Sequence, residues 1–244
     1  MSRSFKADEG FIAHDLLAAV GVEHGFGTRQ AAEPSNLVRP RQVHGIGVAR
    51  LTAGGALDRP EADAVVSHRP GGGVGIVTAD CVPILLASSS GQGVAAIHAG
   101  WRGLAKGVVQ AGFEALRERT TSSEPIVAVI GPHIGRCCYE VDVPVMEPLR
   151  ARFGLDLDAA SEISRVGHHR LDLGQLVSMD LVRQGVKPHE LGVIPDSCTA
   201  CGVDRFHSYR REGVGGGRLL HYIRPIVLDS SFRPSVGETR TESA

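Results

Sequence analysis

The sequence predicts a mixed α/β fold of short buried strands and a smaller number of helices. Three observations carry that expectation. The apolar runs Val74–Ala79, Val82–Ala87 and Val94–Ile97 are bounded by Gly, Ser or polar residues and have the length of buried strands. Leu104–Arg119 places Leu104, Val108, Ala111, Ala115 and Leu116 near one face at helical spacing. Strand-like and helix-like segments alternate unevenly, which favours a mixed sheet over a wholly parallel one.

Taken in order, Phe11–Val20 fits either a short helix or a strand, and His24–Arg29 reads as a loop from its glycines. Gln30–Pro40 is polar and Pro-bearing, hence irregular. Val43–Leu51 reads as a strand with His44 at its mouth, Ala53–Ala62 as turn-rich, and Ala64–Ser67 as a short strand. His68–Gly73 is a tight turn. Arg117 and Arg119 suit the C-terminal end of the amphipathic helix. Ile126–Ile130 is a strand feeding the loop Gly131–Cys138. Asp142 and Asp172 are placed to cap helices ending near Phe153 and Gln184, with Gly154 and Gly185 after them. Leu191–Ile194, Phe206–Arg210 and Leu219–Leu228 read as the last strands. Residues 1–233 are expected to form one unit and 234–244 a disordered tail.

Composition excludes several classes of function. The chain has 244 residues, a formal charge of −1 and 42% hydrophobic residues, enough for a substantial core. No acidic or basic excess points to nucleic acid or a membrane surface. No apolar run approaches the roughly 20 residues that span a bilayer. The first residues, MSRSFKADEGFIAHDLL, carry no signal-peptide pattern, so a cytoplasmic setting is expected. Five cysteines, an odd number, favour free thiols or metal ligands over a disulfide framework.

The candidate chemistry centres on Cys81 and His98, placed where adjacent strand ends can meet, with His44 as a third group. One thiolate and two imidazoles suit zinc, and three protein ligands leave a fourth position for water or substrate. The bland alternative is a structural Cys and two loop histidines. Asp80 beside Cys81 either orients a ligand histidine or a loop amide, or simply bonds backbone at a turn. The turn His98-Ala99-Gly100-Trp101-Arg102-Gly103 opens a helix and offers amides and a guanidinium to an anion. Trp101 fits either base stacking or the core. His133 and Arg136 lie in the Gly131–Cys138 loop. Its adjacent Cys137 and Cys138 would point apart on a strand. Cys198 and Cys201 form a single CxxC, expected to be small residues buried in a turn, with a metal or redox pair as the minority reading. Ser208–Gly213 is either a solvated edge strand or a substrate clamp.

Six segments in this order resemble a known family: RQVHG (Arg41–Gly45), ADAVVS (Ala62–Ser67), GIVTADCVPILLA (Gly75–Ala87), AAIHAGWRGLAKGVV (Ala95–Val109), IGPHIGRCCYEV (Ile130–Val141) and FHSYRREG (Phe206–Gly213). The chain is similar to the YfiH, or polyphenol-oxidase-type, family once called multicopper laccases, which includes a bacterial peptidoglycan editing factor and a mammalian purine enzyme. The resemblance implies two packed mixed sheets flanked by helices in four layers, α/β/β/α. It implies zinc held by His44, Cys81 and His98, with an open face for substrate. It implies phosphorolysis of adenosine, inosine, guanosine or methylthioadenosine and hydrolytic deamination of adenosine. In bacterial members it also implies correction of muropeptide precursors that carry serine in place of alanine. Relatives usually carry a longer segment before the Gln-Val-His motif; here only Gln30–Arg41 intervenes, with Asn36-Leu37 as its remnant. Of the CxxC, only the first Cys usually has a counterpart.

The leading expectation is therefore a zinc-dependent purine nucleoside enzyme. Asp80, Cys81 and His98 are its catalytic candidates, Asp80 as a proton carrier, and Arg41, Arg102 and Arg210 its phosphate-binding candidates. Bound zinc would lower the pKa of water toward about 7. The rivals are a metal-free hydrolase with Cys81 as nucleophile and His98 as base, a copper-dependent phenol oxidase, and a cluster that only staples two sheets.

Overall fold

The computed structural model describes residues 10–51 and 59–227. In chain order its elements are β1 (Phe11–Ile12), α1 (Asp15–Ala19), β2 (Glu23–Gly27), β3 (Leu37–Val38), β4 (Val48–Leu51), β5 (Ala64–Ser67), β6 (Gly73–Thr78), β7 (Val82–Ser88), β8 (Val94–Ala99), α2 (Trp101–Lys106) and α3 (Val108–Arg117). There follow β9 (Ile126–Ile130), β10 (Glu140–Asp142), α4 (Val143–Phe153), α5 (Asp156–Ala159), β11 (Ser161–Arg165), β12 (His168–Leu171), α6 (Leu173–Arg183), β13 (Leu191–Val193), α7 (Tyr209–Glu212) and β14 (Leu219–Arg224).

Two large mixed sheets form the frame. One has six strands in the order β13-β9-β7-β8-β5-β4, the other five in the order β1-β2-β14-β6-β3. In the first, β9, β7, β8 and β5 run antiparallel to their neighbours, while β13 joins β9 and β4 joins β5 in parallel. Strand alternation then sorts the side chains between two cores. Leu85 and Ala87 of β7 and Ala96 of β8 meet Val74, Ile76, Phe26 and Ile223 between the sheets. Ile84, Leu86 and Ile97, on the opposite face, pack under the helices with Val109, Leu116, Leu149, Leu176 and Leu181. The short apolar runs are thus strands buried on both faces, which is why they lack the alternation of a half-exposed sheet. Phe11, Leu220 and Tyr222 form a third, smaller cluster, with Ala31 and Leu37 packed against it.

Several elements depart from the sequence expectation. Residues 23–27 are strand β2, not a loop. Their glycines serve close packing: a Cβ on Gly27 would lie 2.3 Å from the Leu220 carbonyl oxygen and one on Gly25 2.7 Å from the Phe11 ring. Phe11–Val20 holds both alternatives, a two-residue strand and then α1. The strand expected over Val43–Leu51 begins only at Val48. The helix expected from Leu104 starts at Trp101 and breaks at Gly107, where φ is +98° and α3 begins anew. Phe206–Arg210 is not a strand: Ser208 caps the short helix α7 by accepting the Arg211 N–H. The polar hairpin β11–β12, which joins β10 in a three-stranded sheet, gave no apolar signal. By contrast β5 and β9 have the bounds expected, and Asp172 caps α6 through the Gln175 N–H at 2.9 Å. Part of the turn-rich Ala53–Ala62 segment and all of the 234–244 tail lie outside the described residues. No helix among the described residues is long and apolar enough to cross a membrane.

Candidate functional site

Two strand ends of the six-stranded sheet and the loop before β4 converge at one edge of a cleft of about 680 Å³. Cys81 sits in the bend between β6 and β7, and His98 is the penultimate residue of β8, paired with Pro83 across the ladder. His44 lies in the loop before β4, where its backbone is left-handed at φ +55°. One ligand atom from each of the three lies within 4.8 Å of the others. The His44 and His98 rings meet edge-on with centroids 4.8 Å apart. Gly100 makes this approach feasible, because a Cβ there would stand 2.6 Å from His44 Nδ1 and 3.0 Å from Cys81 Sγ.

A residue not singled out in the sequence organises the triad. Asp63 is fully buried at the start of β5. Its carboxylate accepts from His98 Nδ1 at 2.8 Å and from the backbone N–H groups of Val43, His44 and Gly45 at 3.2, 3.0 and 2.6 Å. One side chain thereby fixes the His98 ring and folds the His44 loop over it. Burial opposes ionisation of Asp63, but the His98 hydrogen bond and the Gly45 amide hold the carboxyl below its usual range. Burial likewise opposes a charge on His98, yet its neighbours Cys81 and Asp63 raise its pKa to about 9. The available signal was a lone carboxylate entering an apolar strand, in the segment Ala62–Ser67.

Asp80 lies beside the triad with φ +88°, a strand-end turn that re-aims its side chain. Both carboxylate oxygens are engaged: Oδ1 accepts from Thr199 Oγ1 at 2.5 Å and Oδ2 from the Arg210 N–H at 2.6 Å. This is the loop-amide arrangement among the readings the sequence allowed. Arg41, Arg102 and Arg210 all line the cleft, but differently. Arg41 pairs with Glu61. Arg210 directs its guanidinium to the Cys138 and Glu140 carbonyls. Arg102 is exposed and lies 4.2 Å over the Trp101 ring. Tyr209, from the segment read as an edge strand or a substrate clamp, lines the wall with Tyr139 and Arg218, which the sequence did not single out. Burial pushes the Tyr139 phenol up, keeping it protonated. Gln42 supports the rim by exchanging two hydrogen bonds with the Val77 backbone at 2.7 and 2.8 Å. His133 and Arg136 face elsewhere: His133 bonds the Gly131 carbonyl and Arg136 bonds Gln175 on α6.

The cysteines of the two remaining motifs contradict their expected dispersal. Cys137 and Cys138 occupy a turn rather than a strand, so they do not point apart; Cys198 and Cys201 do lie in a turn as expected, but Cys201 is exposed and Cys198 only partly buried. Together with Cys198 they form a second cluster.

The donor set of the triad fits a borderline-soft divalent ion: one thiolate, two imidazoles, a carboxylate orienting one imidazole and a cleft on the open side. Among the described residues, His44 and His98 are the histidines found in ligand clusters, short of the many imidazoles a multicopper centre uses.

Comparison with known proteins shows the family and the fold. A family model described as multi-copper polyphenol oxidoreductase laccase matches residues 11–225. The chain is 37% identical over 191 residues to purine nucleoside phosphorylase YfiH of Escherichia coli (strain K12), spanning 78% of this chain and 74% of that one. It is 32% identical over 219 residues to adenosine deaminase RL5 from an unknown prokaryotic organism, spanning 86% and 83%. Among solved structures, YlmD of Geobacillus stearothermophilus matches with a TM-score of 0.79 at 25% identity, over 91% of this chain and 99% of that one. Bacillus licheniformis YfiH matches with a TM-score of 0.76 at 26% identity, over 84% and 92%. With the fold shared and the family model spanning the cleft, the chain belongs to the multi-copper polyphenol oxidoreductase laccase family, the group that includes the YfiH proteins.

Proposed function

We propose that this protein is a zinc-dependent purine nucleoside enzyme that cleaves the glycosidic bond with phosphate and deaminates adenosine at the same cleft. The observation that carries this reading is the placement of His44, Cys81 and His98 around one point at the edge of an open cleft lined by aromatic and cationic side chains. The names of the relatives, purine nucleoside phosphorylase and adenosine deaminase, support the substrate class.

His44, Cys81 and His98 would hold the ion, which supplies Lewis acidity toward a substrate atom or water. Asp63 accepts the His98 Nδ1 proton and leaves Nε2 as the ligand atom. The half-buried rings of Trp101 and Tyr139 offer apolar faces to a purine. Arg102 has no ion pair among the described residues and is the best-placed guanidinium for phosphate. In phosphorolysis a phosphate oxygen bonds to ribose C1′ as the C1′–N9 bond breaks, and the electron pair leaves with the base. Arg102 and Arg218 lower the repulsion of bringing the anion into the cleft. Asp80 acts as a positioning residue through Thr199 and the Arg210 amide.

The test is a nucleoside panel incubated with metal-loaded and chelator-stripped protein, with and without phosphate, read by mass spectrometry. Free base that requires both phosphate and metal, and inosine from adenosine, are the expected products. Equal rates with and without metal, or activity lost in Cys81→Ser with its zinc retained, would replace this reading by thiol catalysis. An inert panel would redirect the search to serine-bearing muropeptide precursors.

A further inference from the structure

The second cluster lies outside the catalytic triad and has no part in the mechanism above. Its origin is topological. Strand β13 pairs in parallel with β9, Val193 opposite Ile130, so the loops that follow both strands leave the sheet at the same end. The pairing continues as a bridge between His133 and Cys198, with the Thr199 N–H donating to the His133 carbonyl at 2.9 Å. The first loop turns at Gly135, whose carbonyl accepts from the Cys138 and Tyr139 N–H groups, and presents Cys137 and Cys138. The second turns through Cys198-Thr199-Ala200-Cys201, closed by the Gly202 N–H on the Cys198 carbonyl at 2.9 Å. Two distant pairs of thiols thus face one another.

We propose that Cys137, Cys138, Cys198 and Cys201 bind a zinc ion as a closed tetrathiolate site. Their sulfur atoms all lie within 4.8 Å of one another. Cys137 to Cys198 and Cys137 to Cys201 are each 3.6 Å, and Cys138 to Cys201 is 3.3 Å. A tetrahedron with Zn–S bonds of about 2.3 Å has sulfur–sulfur edges of about 3.8 Å, so the thiols stand close to coordination spacing. They stand well beyond the roughly 2.05 Å of a disulfide. The surroundings suit a cluster of negative charge. The Gly135 N–H points at Cys198 Sγ from 3.3 Å. Arg170 donates to the Cys137 carbonyl, Arg210 to the Cys138 carbonyl and Arg211 to those of Thr199 and Ala200. Three guanidiniums therefore ring a site whose four thiolates would exceed the charge of one divalent ion by two. Exposed Cys137 and Cys201 give the metal a way in.

The site has four protein ligands and no vacant position, so its role is structural rather than catalytic. Thr199, between the two CxxC sulfurs, carries the hydroxyl that holds Asp80, and Asp80 adjoins the ligand Cys81. Arg210, which holds the Cys138 carbonyl, supplies the amide on the other Asp80 oxygen. An ion here would tie the two loops into one wall of the cleft.

Elemental analysis of reduced protein purified without added metal tests the proposal. Two zinc ions per chain are expected. Cys198→Ser with Cys201→Ser should remove one and leave the other, and Cys81→Ser should do the reverse. Should the double variant fail to fold, cobalt substitution of the wild-type protein still decides. Thiolate-to-cobalt charge-transfer absorption from five sulfurs supports the site, and absorption from Cys81 alone overturns it. One zinc per chain, abolished by Cys81→Ser, would also overturn it. So would an intact mass, for protein purified without reductant, lighter by the hydrogens of one or two disulfides.

Discussion

Asp63 and His98 are joined twice: the His98 N–H donates to the Asp63 carbonyl at 2.7 Å, and its Nδ1 lies 2.8 Å from the Asp63 carboxylate. The first bond ends the β5–β8 ladder and the second sets the ring, so sheet register and ligand orientation are one event. The same carboxylate gathers the N–H groups of residues 43–45 and so carries His44 to the site. A fold that registers β5 against β8 therefore brings His44 and His98 together as it closes.

Asp63→Asn should weaken metal binding at the triad by about 10–100-fold, the usual cost of losing an orienting partner. An amide oxygen accepts less strongly than a carboxylate and its NH₂ group faces the amides of Val43 to Gly45. Competition against a chromogenic chelator measures the affinity, and unchanged affinity would deny Asp63 its role.

Gly100→Ala should displace the triad without straining the backbone, since Gly100 has an ordinary φ of −77°. The added methyl would meet His44 Nδ1 and Cys81 Sγ, neither of which can move without leaving the ligand set. The expected result is loss of zinc at this site, by elemental analysis, with far-UV circular dichroism retained. Full zinc occupancy in the variant would show that the loop has slack the geometry does not suggest.

Much of this arrangement was legible in the sequence because burial writes itself as composition. Strands β6 to β9 are apolar runs with polar ends, and the polar ends are the site. His44, Cys81 and His98 were candidates by residue type, with a structural cysteine and two loop histidines as the bland alternative, and the family resemblance is what made them a ligand set. Asp63 escaped because an acid before a strand also reads as a turn residue. The Cys137/Cys138 pair was misjudged because its turn conformation depends on Gly135, and its partners depend on the parallel pairing of β13 with β9. Neither is local. The same limit hid α7, where a capping serine and tertiary contacts overrode a strand-like run.

Stability should fall with acid partly through His221. Full burial, above all, lowers its pKa to about 3, against an ordinary 6.5. The unfolded chain therefore takes up a proton between those values that the native state refuses. The unfolded state binds more protons there, so stability rises with pH and is lost as pH falls from about 6.5 toward 3. The contribution is up to about 1.4 kcal/mol per pH unit. Urea unfolding at several pH values, compared with His221→Gln, should show a slope smaller by close to one proton in the variant. Identical slopes would place the proton uptake elsewhere.

Arg102→Ala should raise the KM for phosphate and lower kcat/KM by about 10–100-fold, the worth of a charge-assisted contact. Its side chain is exposed and stacks on Trp101, so the melting temperature should change little. An unchanged dependence on phosphate would leave the anion to Arg41 or Arg218.

Asp80 separates a positioning role from proton transfer. Asp80→Asn keeps a residue type that tolerates the positive φ, while its amide can accept at one oxygen only. Thr199→Val removes the hydroxyl bonded to Oδ1 and touches no proton path. If Asp80 holds the wall, each variant should slow turnover, and the double variant should be little worse than the more damaged single one. The coupling would be about 0.5–3 kcal/mol, because both changes act on the same Thr199–Asp80 contact. If Asp80 instead carries a proton, Asp80→Asn should abolish turnover and remove one limb of the pH–rate profile, while Thr199→Val leaves both limbs standing. The double-mutant cycle and the pH profiles together tell these apart.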